Sequence, residues 1–370
     1  MEINAVPMAR WSGVERPPLV IAGPCSAESE AQLFDTARRL AGSHTNYMRA
    51  GIWKARTRPN TFEGIGDAAL PWLRQAADAH GLRTATEVAQ PRHVEAALEH
   101  GIDLLWIGAR TTVNPFSVQE LANALRGSDA PVLVKNPTSP DLGLWLGALE
   151  RIHSAGVNAL GAIHRGFMTA GKSPLRNQPM WDIVIELRRN VPDLPILSDP
   201  SHIAGRRDFI QPLAQRAMDL GLEGLMIETH PNPDQAWSDA NQQIMPERLT
   251  EILSELKVRR PTSRNAGLNK SLEMLRHQID EVDLDLLNAV SRRMRIVEQI
   301  GDWKRANNVT SFQPARWRDL LQDRMVGAAD LGLEEQYVKA LYELIHEESV
   351  RRQSEIMDND EETSIPLEAS

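Results

Sequence analysis

The chain has 370 residues, of which 42% are hydrophobic and 25% are charged, so it is long enough for a barrel-sized domain and a smaller one and lacks the composition of a disordered protein. Its formal charge of −9 would repel nucleic acid and anionic membranes, and we expect it to bind neither. The single cysteine, Cys25, excludes an intrachain disulfide, and no apolar stretch suits a signal peptide or a membrane span, so we expect a cytoplasmic protein.

Eight short apolar runs between residues 18 and 260 predict eight strands: PLVIAGP, YMRAGI, RTATEV, LLWIGA, PVLVKN, ALGAIHRG, PILSDPS and GLMIETH. Eight amphipathic helical segments lie between and after them. Several of these segments end in a glycine suited to a left-handed cap, at Gly81, Gly101, Gly156 and Gly221. Eight strand–helix units match a closed (β/α)8 barrel over residues 1–260, whereas a doubly wound sheet would normally have fewer strands.

A linker at 261–268, rich in proline, glycine and polar residues, separates the barrel from an all-helical domain at 269–357. Apolar residues from Leu272 to Ile300 keep helical spacing, which predicts a first helix of about nine turns starting near Lys270. Shorter helices are expected after Gln313 and Glu334. Because so long an apolar stripe needs a partner, we expect a homodimer through this domain. The acidic end, 358–370, is expected to be a disordered tail.

Polar residues at the strand ends of such a barrel are candidates for chemistry, because the carboxyl ends of parallel strands meet at one rim. Four of them are of types that bind metals: Cys25, His202, Glu228 and Asp239. A thiolate, an imidazole and two carboxylates suit a borderline divalent ion, with Mn²⁺ as the first choice and Fe²⁺, Co²⁺ or Zn²⁺ as alternatives. Each residue alone could instead be structural, as a buried cysteine or a hydrogen-bonded histidine.

Six cations occur around the same strand ends: Arg49, Lys54, Arg56, Arg110, Lys135 and Arg165. Like charges packed together destabilise a fold unless anions neutralise them, so this set predicts small-molecule substrates that carry phosphate and carboxylate groups. The structural alternative is that some of the cations are paired with Glu28, Glu87 or Asp199.

The motifs GPCSAES, RAGIWKARTRP, TEV, IGARTT, KN, HRG, DPSH, IETHPNP and SDA, over residues 18–245, resemble 3-deoxy-arabino-heptulosonate 7-phosphate (DAHP) synthases. The resemblance implies that Cys25, His202, Glu228 and Asp239 hold the ion. It also implies that phosphoenolpyruvate binds to Arg49, Lys54, Arg110, Lys135 and Arg165, and that erythrose 4-phosphate meets Arg56 and Thr57. The implied reaction is attack of the phosphoenolpyruvate alkene carbon on the sugar aldehyde, polarised by the metal, followed by water addition and loss of phosphate. We assign proton transfer to Lys54.

Two alternative chemistries remain for the barrel. The related 3-deoxy-manno-octulosonate 8-phosphate synthases use a five-carbon sugar, but their family typically has Lys-Ala-Asn-Arg-Ser where this chain has Lys54-Ala55-Arg56-Thr57. A Schiff-base aldolase would use Lys54 or Lys135 and would need no metal.

The helical region resembles the all-helical class of chorismate mutases over residues 269–357, through LRHQIDEVDLDLLNAVSRRM, IGDWK and the later Arg, Ser and Gln. The resemblance implies chorismate or prephenate binding by Arg276, Arg293, Lys304, Gln313, Arg316, Ser349 and Gln353, with Arg276 supplied by the other subunit. In the implied rearrangement to prephenate, Arg293 binds substrate and Lys304 contacts the ether oxygen, which makes these two the catalytic residues.

The chain departs from the mutase pattern at Gln313 and Trp317, where the family often has acidic residues. A glutamine can still donate and accept a hydrogen bond, whereas the tryptophan is suited to packing against another surface, such as the barrel. The alternative is that the helical domain is only a dimerising or sensing module. If it binds prephenate or chorismate, that binding could restrain the barrel by feedback.

Overall fold

The computed structural model describes residues 3–54, 61–170, 173–259 and 266–358. The chain divides into two compact units, Met1–Pro261 and Thr262–Ser370. Arg56 and Thr57, and all of the predicted tail except Asp358, lie outside the described residues. Among the helices that are described, none combines the length and the apolar character needed to cross a membrane.

The first unit is the predicted closed barrel of eight parallel strands. The strands are β1 (Leu19–Gly23), β2 (Tyr47–Arg49), β3 (Arg83–Val88), β4 (Leu104–Ile107), β5 (Val132–Lys135), β6 (Leu160–His164), β7 (Ile196–Ser198) and β8 (Gly224–Glu228). Each strand pairs with the next, and β1 pairs with β8 from Leu19 opposite Gly224 to Gly23 opposite Glu228. That last pairing closes the barrel, so all eight carboxyl ends share one rim.

Eight longer helices of this unit are the predicted amphipathic segments: α2 (Glu30–Leu40), α3 (Leu70–Asp78), α4 (Pro91–Glu99), α6 (Pro115–Ala124), α7 (Leu142–Ser154), α8 (Trp181–Asn190), α10 (Ile210–Asp219) and α11 (Pro246–Glu255). Three short helices are additional: α1 (Met8–Ser12), α5 (Ala109–Thr112) and α9 (Pro200–Ala204). The predicted cap glycines at 81, 101, 156 and 221 all have positive φ, between 68° and 100°. Glycine tolerates this conformation without a Cβ clash, and the chain can turn there into the next strand.

Side chains alternate along each strand between the barrel interior and the surrounding helices. The interior is filled by large apolar groups that are almost fully buried, including Tyr47, Trp106 and Met226. Met8 of α1 belongs to the same cluster, and Trp11 packs against it. The segment before β1 therefore covers the end of the barrel opposite the carboxyl rim.

The second unit contains three long helices: α12 (Ala266–Ala306), α13 (Pro314–Asp330) and α14 (Glu335–Asp358). The first is longer than the predicted nine turns, with 41 residues, because it begins four positions before Lys270 and continues beyond Ile300 to Ala306. Gly301 lets α12 approach α14 closely: a Cβ atom there would lie 3.0 Å from Ile356 Cδ1. The positions of α13 and α14 confirm the shorter helices that the sequence predicts.

Candidate active sites

Three side chains of metal-binding types meet at the carboxyl rim of the barrel. The donor atoms of Cys25, Glu228 and Asp239 all lie within 4.8 Å of one another, and Cys25 Sγ is 3.4 Å from Asp239 Oδ2. Cys25 follows β1, Glu228 ends β8, and Asp239 lies in the loop after β8. The closing pair of strands thus brings together residues 214 positions apart in sequence.

Buried polar contacts hold the loops after β1 and β8 against each other. The Gln243 side chain accepts from Cys25 N at 2.9 Å and donates to Ser238 O at 2.8 Å. The hydroxyls of Ser26 and Ser238 are 2.5 Å apart. Glu28, which the sequence offered as a partner for the rim cations, instead lies 3.3 Å from His230 Nε2. These contacts fix the positions of the loops around the candidate metal-binding atoms of Cys25, Glu228 and Asp239, which we call the donor cluster.

His202, the fourth predicted ligand, lies on α9 beside this cluster. Its Nδ1 is 2.8 Å from Asp199 Oδ2, and its Nε2 is 3.8 Å from Glu228 Oε1. A carboxylate facing one ring nitrogen is the usual arrangement for a metal-binding histidine, because it leaves the other nitrogen available as a ligand. Asp199 also accepts from His202 N at 3.0 Å. Asp199 therefore holds the backbone of His202 and faces its ring.

The donor cluster consists of a thiol and two carboxyl groups, all of which become negatively charged when they lose a proton. Burial, followed by the charge of Glu228, raises the pKa of the Cys25 thiol to about 12. Burial would also raise the pKa of Glu228, but His202 and Arg49 outweigh it and lower that pKa below its ordinary value. Glu228 Oε1 is buried and makes no hydrogen bond among the described residues, although Arg49 Nη2 is 3.2 Å away. Sulfur, nitrogen and oxygen donors, with a carboxylate oxygen that makes no hydrogen bond, fit a borderline divalent cation.

Lys54 lies directly beside the cysteine. Its Nζ donates to Cys25 O at 2.9 Å and is 3.2 Å from Cys25 Sγ. The approach requires glycine at position 51, where a Cβ atom would lie 2.5 Å from Cys25 O and 2.8 Å from Lys54 Cδ. Burial acts to lower the pKa of Lys54, but the charges of Cys25, Glu87 and Glu228 outweigh it and raise the pKa. The Lys54 amine is thus held protonated.

Several cations surround a cavity of about 160 Å³ next to the donor cluster. Its lining includes three predicted cations and one that the sequence analysis missed: Arg110, Lys135, Arg165 and Arg176. Burial, with the nearby charges of Arg176 and Arg110, lowers the pKa of Arg165 to about 10. Converging positive charge with so little room predicts a small anion. Arg49 and Lys54 are not in this lining and lie on the side of Cys25 and Glu228.

Two of the predicted cations are also ion-paired within the barrel. Lys135 Nζ is 2.7 Å from Asp199 Oδ2, and Arg49 Nη2 is 3.2 Å from Glu228 Oε1. All four side chains are at most 5% exposed. Burial would raise the pKa of Asp199, but the charges of His202 and Lys135 hold it well below the ordinary range. The predicted pairing with Asp199 thus exists for Lys135, which still lines the cavity.

In the helical unit, four predicted residues form two contacts between α12 and α14. Arg293 Nη1 donates to Ser349 Oγ at 2.5 Å, and Lys304 Nζ donates to Gln353 Oε1 at 2.9 Å. Lys304 also donates to Ser311 O at 2.7 Å. Burial lowers the pKa values of both Arg293 and Lys304. Their charges both act on the pKa of His346, so the two cations lie around one partly desolvated space that suits an anion.

The other residues that were predicted to bind chorismate do not lie close to Arg293 and Lys304 within one chain, or they are exposed. Arg276 lies 17 positions before Arg293 on the same helix, which separates them by about 25 Å along its axis. Gln313 and Arg316 are exposed near the start of α13. Trp317 stacks on His346, with ring centroids 3.9 Å apart and an interplanar angle of 9°. The tryptophan thus packs against α14 within its own unit.

Family comparisons match both units. The description "DAHP synthetase I family" covers residues 5–261, and "Chorismate mutase type II" covers residues 275–354. The chain belongs to the DAHP synthetase I family. It joins a DAHP synthase domain to a chorismate mutase domain, a transferase and an isomerase of aromatic biosynthesis.

Individual relatives support the same assignment of the DAHP synthase domain. A phospho-2-dehydro-3-deoxyheptonate aldolase of Thermotoga maritima is 35% identical over 239 residues, covering 64% of this chain and 68% of the relative. The crystal structure of the Thermotoga maritima DAHP synthase matches 64% of this chain and 67% of its own with 33% identity and a TM-score of 0.58. A 2-dehydro-3-deoxyphosphooctonate aldolase of Bordetella petrii is 27% identical over 279 residues, covering 68% of this chain and 94% of the relative. The octulosonate alternative is the weaker one.

The sequence analysis missed residues that position the DAHP synthase site from irregular loops. Arg176, after β6, donates to Gln242 Oε1 at 2.6 Å and is 3.2 Å from Asp239 Oδ1. Gln242 donates in turn to Glu228 Oε2 at 2.7 Å. Asn136, from the KN motif, accepts from Arg165 N at 2.7 Å. Only Asn136 had a sequence signal, its place directly after β5.

The buried pair of Lys135 and Asp199 gives a test of how the DAHP synthase rim is stabilised. We expect Lys135→Met to lower the free energy of unfolding by about 3 kcal/mol, because it leaves the Asp199 carboxylate buried without its cation. Urea unfolding of the full chain measures the loss. The double variant Lys135→Met/Asp199→Asn should recover part of it, and strictly additive losses would contradict the pairing.

Proposed function

We propose that the barrel condenses phosphoenolpyruvate with erythrose 4-phosphate to give DAHP and phosphate. The observation that supports this most is a cavity lined by cations beside a cluster of sulfur, nitrogen and oxygen donors. Such an arrangement suits a reaction in which a small substrate with two anionic groups meets an aldehyde that a bound divalent ion would polarise. A C–C bond forms between the alkene carbon and the aldehyde carbon, water adds to the former enol carbon, and the C–O bond to phosphate breaks.

The cations of the cavity would bind phosphoenolpyruvate through its phosphate and carboxylate. Arg165 and Arg110 offer guanidinium groups, which match both anions with paired N–H donors. Lys135 is held at the wall by Asp199 and adds a point charge. Arg49 and Lys54 would act from the side of the metal cluster, and Arg56 and Thr57 are proposed to meet the sugar phosphate by resemblance alone. Fixing both substrates removes much of the entropic barrier of a two-substrate reaction.

Cys25, His202, Glu228 and Asp239 would hold the divalent ion, for which Mn²⁺ is the first choice. Bound there, the ion would supply Lewis acidity toward the sugar aldehyde. The high pKa of the Cys25 thiol means that ion binding releases a proton from Sγ. The carboxylate of Asp199 would keep the His202 ring oriented with Nε2 toward the ion.

Lys54 is the proposed proton donor of the reaction. Its Nζ lies 3.2 Å from Cys25 Sγ and is held protonated by the charges around it, so it can give a proton to an oxygen that becomes negative near the metal. The same protonation disfavours the Schiff-base alternative, since a charged amine is not a nucleophile. Lys135, the other candidate, is engaged with Asp199.

Removal of the metal should abolish the barrel reaction. We expect a chelator to reduce phosphate release from phosphoenolpyruvate and erythrose 4-phosphate to background, and added Mn²⁺ to restore it. Cys25→Ala should lower Mn²⁺ affinity in calorimetry by at least about a hundred-fold, since loss of a direct ligand costs more than loss of an outer contact.

Chorismate conversion by the same samples is the matched control, because it should be unaffected by both treatments. Chelator-resistant phosphate release, or a lysine adduct trapped by borohydride, would instead establish the Schiff-base chemistry. Faster turnover with a five-carbon sugar phosphate would establish the octulosonate alternative.

We further propose that the helical domain rearranges chorismate to prephenate. The pericyclic reaction needs no nucleophile, so the protein has to hold a reactive conformer and stabilise the charge that develops on the ether oxygen. Lys304 has three N–H donors, and two of them are used by Gln353 and Ser311. The third is available for the ether oxygen, while Arg293 and Arg316 would bind carboxylate groups.

The mutase site is proposed to be completed by a second copy of the chain. The first half of α12 exposes an apolar stripe that includes Leu272, Ile279 and Leu286, each at least 45% exposed. A homodimer that pairs these stripes would bury them. Within one chain, Arg276 is too far from Arg293 for both to contact the same substrate. In the dimer, the partner's Arg276 would instead reach the site formed by Arg293.

Mixing two inactive variants tests this composite site. Arg276→Ala and Arg293→Ala should each lose chorismate conversion, because each removes one half of every site. Co-expressed in equal amounts, they should recover about a quarter of the wild-type rate, since half of the randomly formed dimers contain one intact site. No recovery would place Arg276 and Arg293 in the same functional chain, and a wild-type protein that does not convert chorismate would support the alternative of a dimerising or sensing module.

Feedback control of the barrel by prephenate or chorismate is a final part of the proposal, supported by the presence of both pathway domains in one chain. Added prephenate should slow phosphate release in the wild type and should have no effect in Arg293→Ala, which lacks the binding site. Wild-type rates that stay unchanged at saturating prephenate would reject it.

A further inference from the structure

The space around Arg293 and Lys304 is also faced by His346, a polar side chain to which neither the resemblance nor the proposed mechanism gives a role. His346 lies on α14, three positions before Ser349 and seven before Gln353. Residues at these intervals share one face of a helix. Ser349 and Gln353 contact Arg293 and Lys304. His346 therefore faces the same space as the two cations.

The imidazole of His346 is held rigidly on one side. It stacks on Trp317 of α13 at 3.9 Å with an interplanar angle of 9°, and the ring of Phe312 lies 5.7 Å away. Burial, followed by the charges of Arg293 and Lys304, lowers the pKa of His346. The ring is therefore neutral at physiological pH and cannot serve as a further site for a carboxylate.

The free nitrogen of this ring is unusual. His346 Nε2 is buried and has no hydrogen-bond partner among the described residues. Leaving a buried polar atom unsatisfied is destabilising, and a bound polar group would remove that cost. A neutral imidazole can donate or accept through this nitrogen, depending on its tautomer. The matching ligand group is uncharged and can do the same, as a hydroxyl can.

We propose that His346 binds the ring hydroxyl of chorismate through Nε2, with Trp317 as the positioning residue that fixes the plane of the imidazole. The inference rests on the proposed mutase function and assigns its remaining contact. The two carboxylates of the substrate go to the cations, and the ether oxygen goes to Lys304. The hydroxyl is the polar group that remains, and the positions where relatives often have acidic residues hold Gln313, which is exposed, and Trp317, which supports the histidine.

The test compares two substrates that differ only in this hydroxyl, chorismate and 4-deoxychorismate. In the full-length dimer, His346→Leu should lower kcat/KM for chorismate about 10- to 100-fold, because it leaves the substrate hydroxyl buried without a partner. For 4-deoxychorismate the same substitution should change kcat/KM by less than about three-fold, since both hydrogen-bonding groups are then absent. His346→Gln, which keeps a donor and an acceptor, should restore much of the chorismate rate.

Equal losses with both substrates would overturn the proposal and assign His346 a purely structural role. Trp317→Phe keeps a stacking ring and should stay near wild type, whereas Trp317→Leu should raise KM for chorismate more than for the deoxy substrate. If the wild type binds chorismate without rearranging it, the mutase proposal fails. Calorimetric affinities of the two compounds for wild type and His346→Leu then still decide the role of His346, by the same comparison.

Discussion

Opposite charges buried against one another at the carboxyl rim are the constraint around which the barrel domain is built. Lys135 with Asp199 and Arg49 with Glu228 come from four different strands or strand ends. A charge removed from water costs several kcal/mol unless its partner is well placed, so these pairs tolerate little change in strand register. The pairing of β1 with β8 brings Cys25 to Glu228 beside these pairs, and glycine at position 51 lets Lys54 approach that cysteine. The outcome is two adjacent compartments, one with surplus donors for a cation and one with surplus positive charge for an anion.

The sequence predicted the parts of this site that follow directly from strand periodicity. Cys25, Glu228 and Lys135 stand at the ends of apolar runs, and convergence of strand ends in a barrel is enough to bring them to one rim. It could not predict Arg176 or Gln242, because both lie in irregular loops whose path depends on tertiary contacts. Nor could it decide whether Lys135 pairs with Asp199 or faces a ligand. In the structure Lys135 pairs with Asp199 and also lines the cavity.

In the helical domain, the helices could be predicted from the sequence, but individual side chains of the site could not. Its apolar stripe and its three helices were predictable from spacing, but the start of α12 was not, because a linker rich in polar residues can also form the first turn of a helix. A single histidine in a helix has no periodic signal. His346 became a candidate binding residue only because the structure shows an aromatic ring packed on it and two cations facing it. Trp317, which looked like a lost acidic residue in the sequence, is the neighbour that makes this histidine rigid.

The covered end of the barrel has a consequence for traffic through the active site. Met8 and Trp11 pack on the interior side chains, and Tyr47 and Trp106 fill the centre, so no passage runs through the barrel core. Substrates and products must share the opening at the carboxyl rim. Under the proposed reaction, a molecule seated in the small cationic cavity would leave through the same opening by which the second reactant arrives.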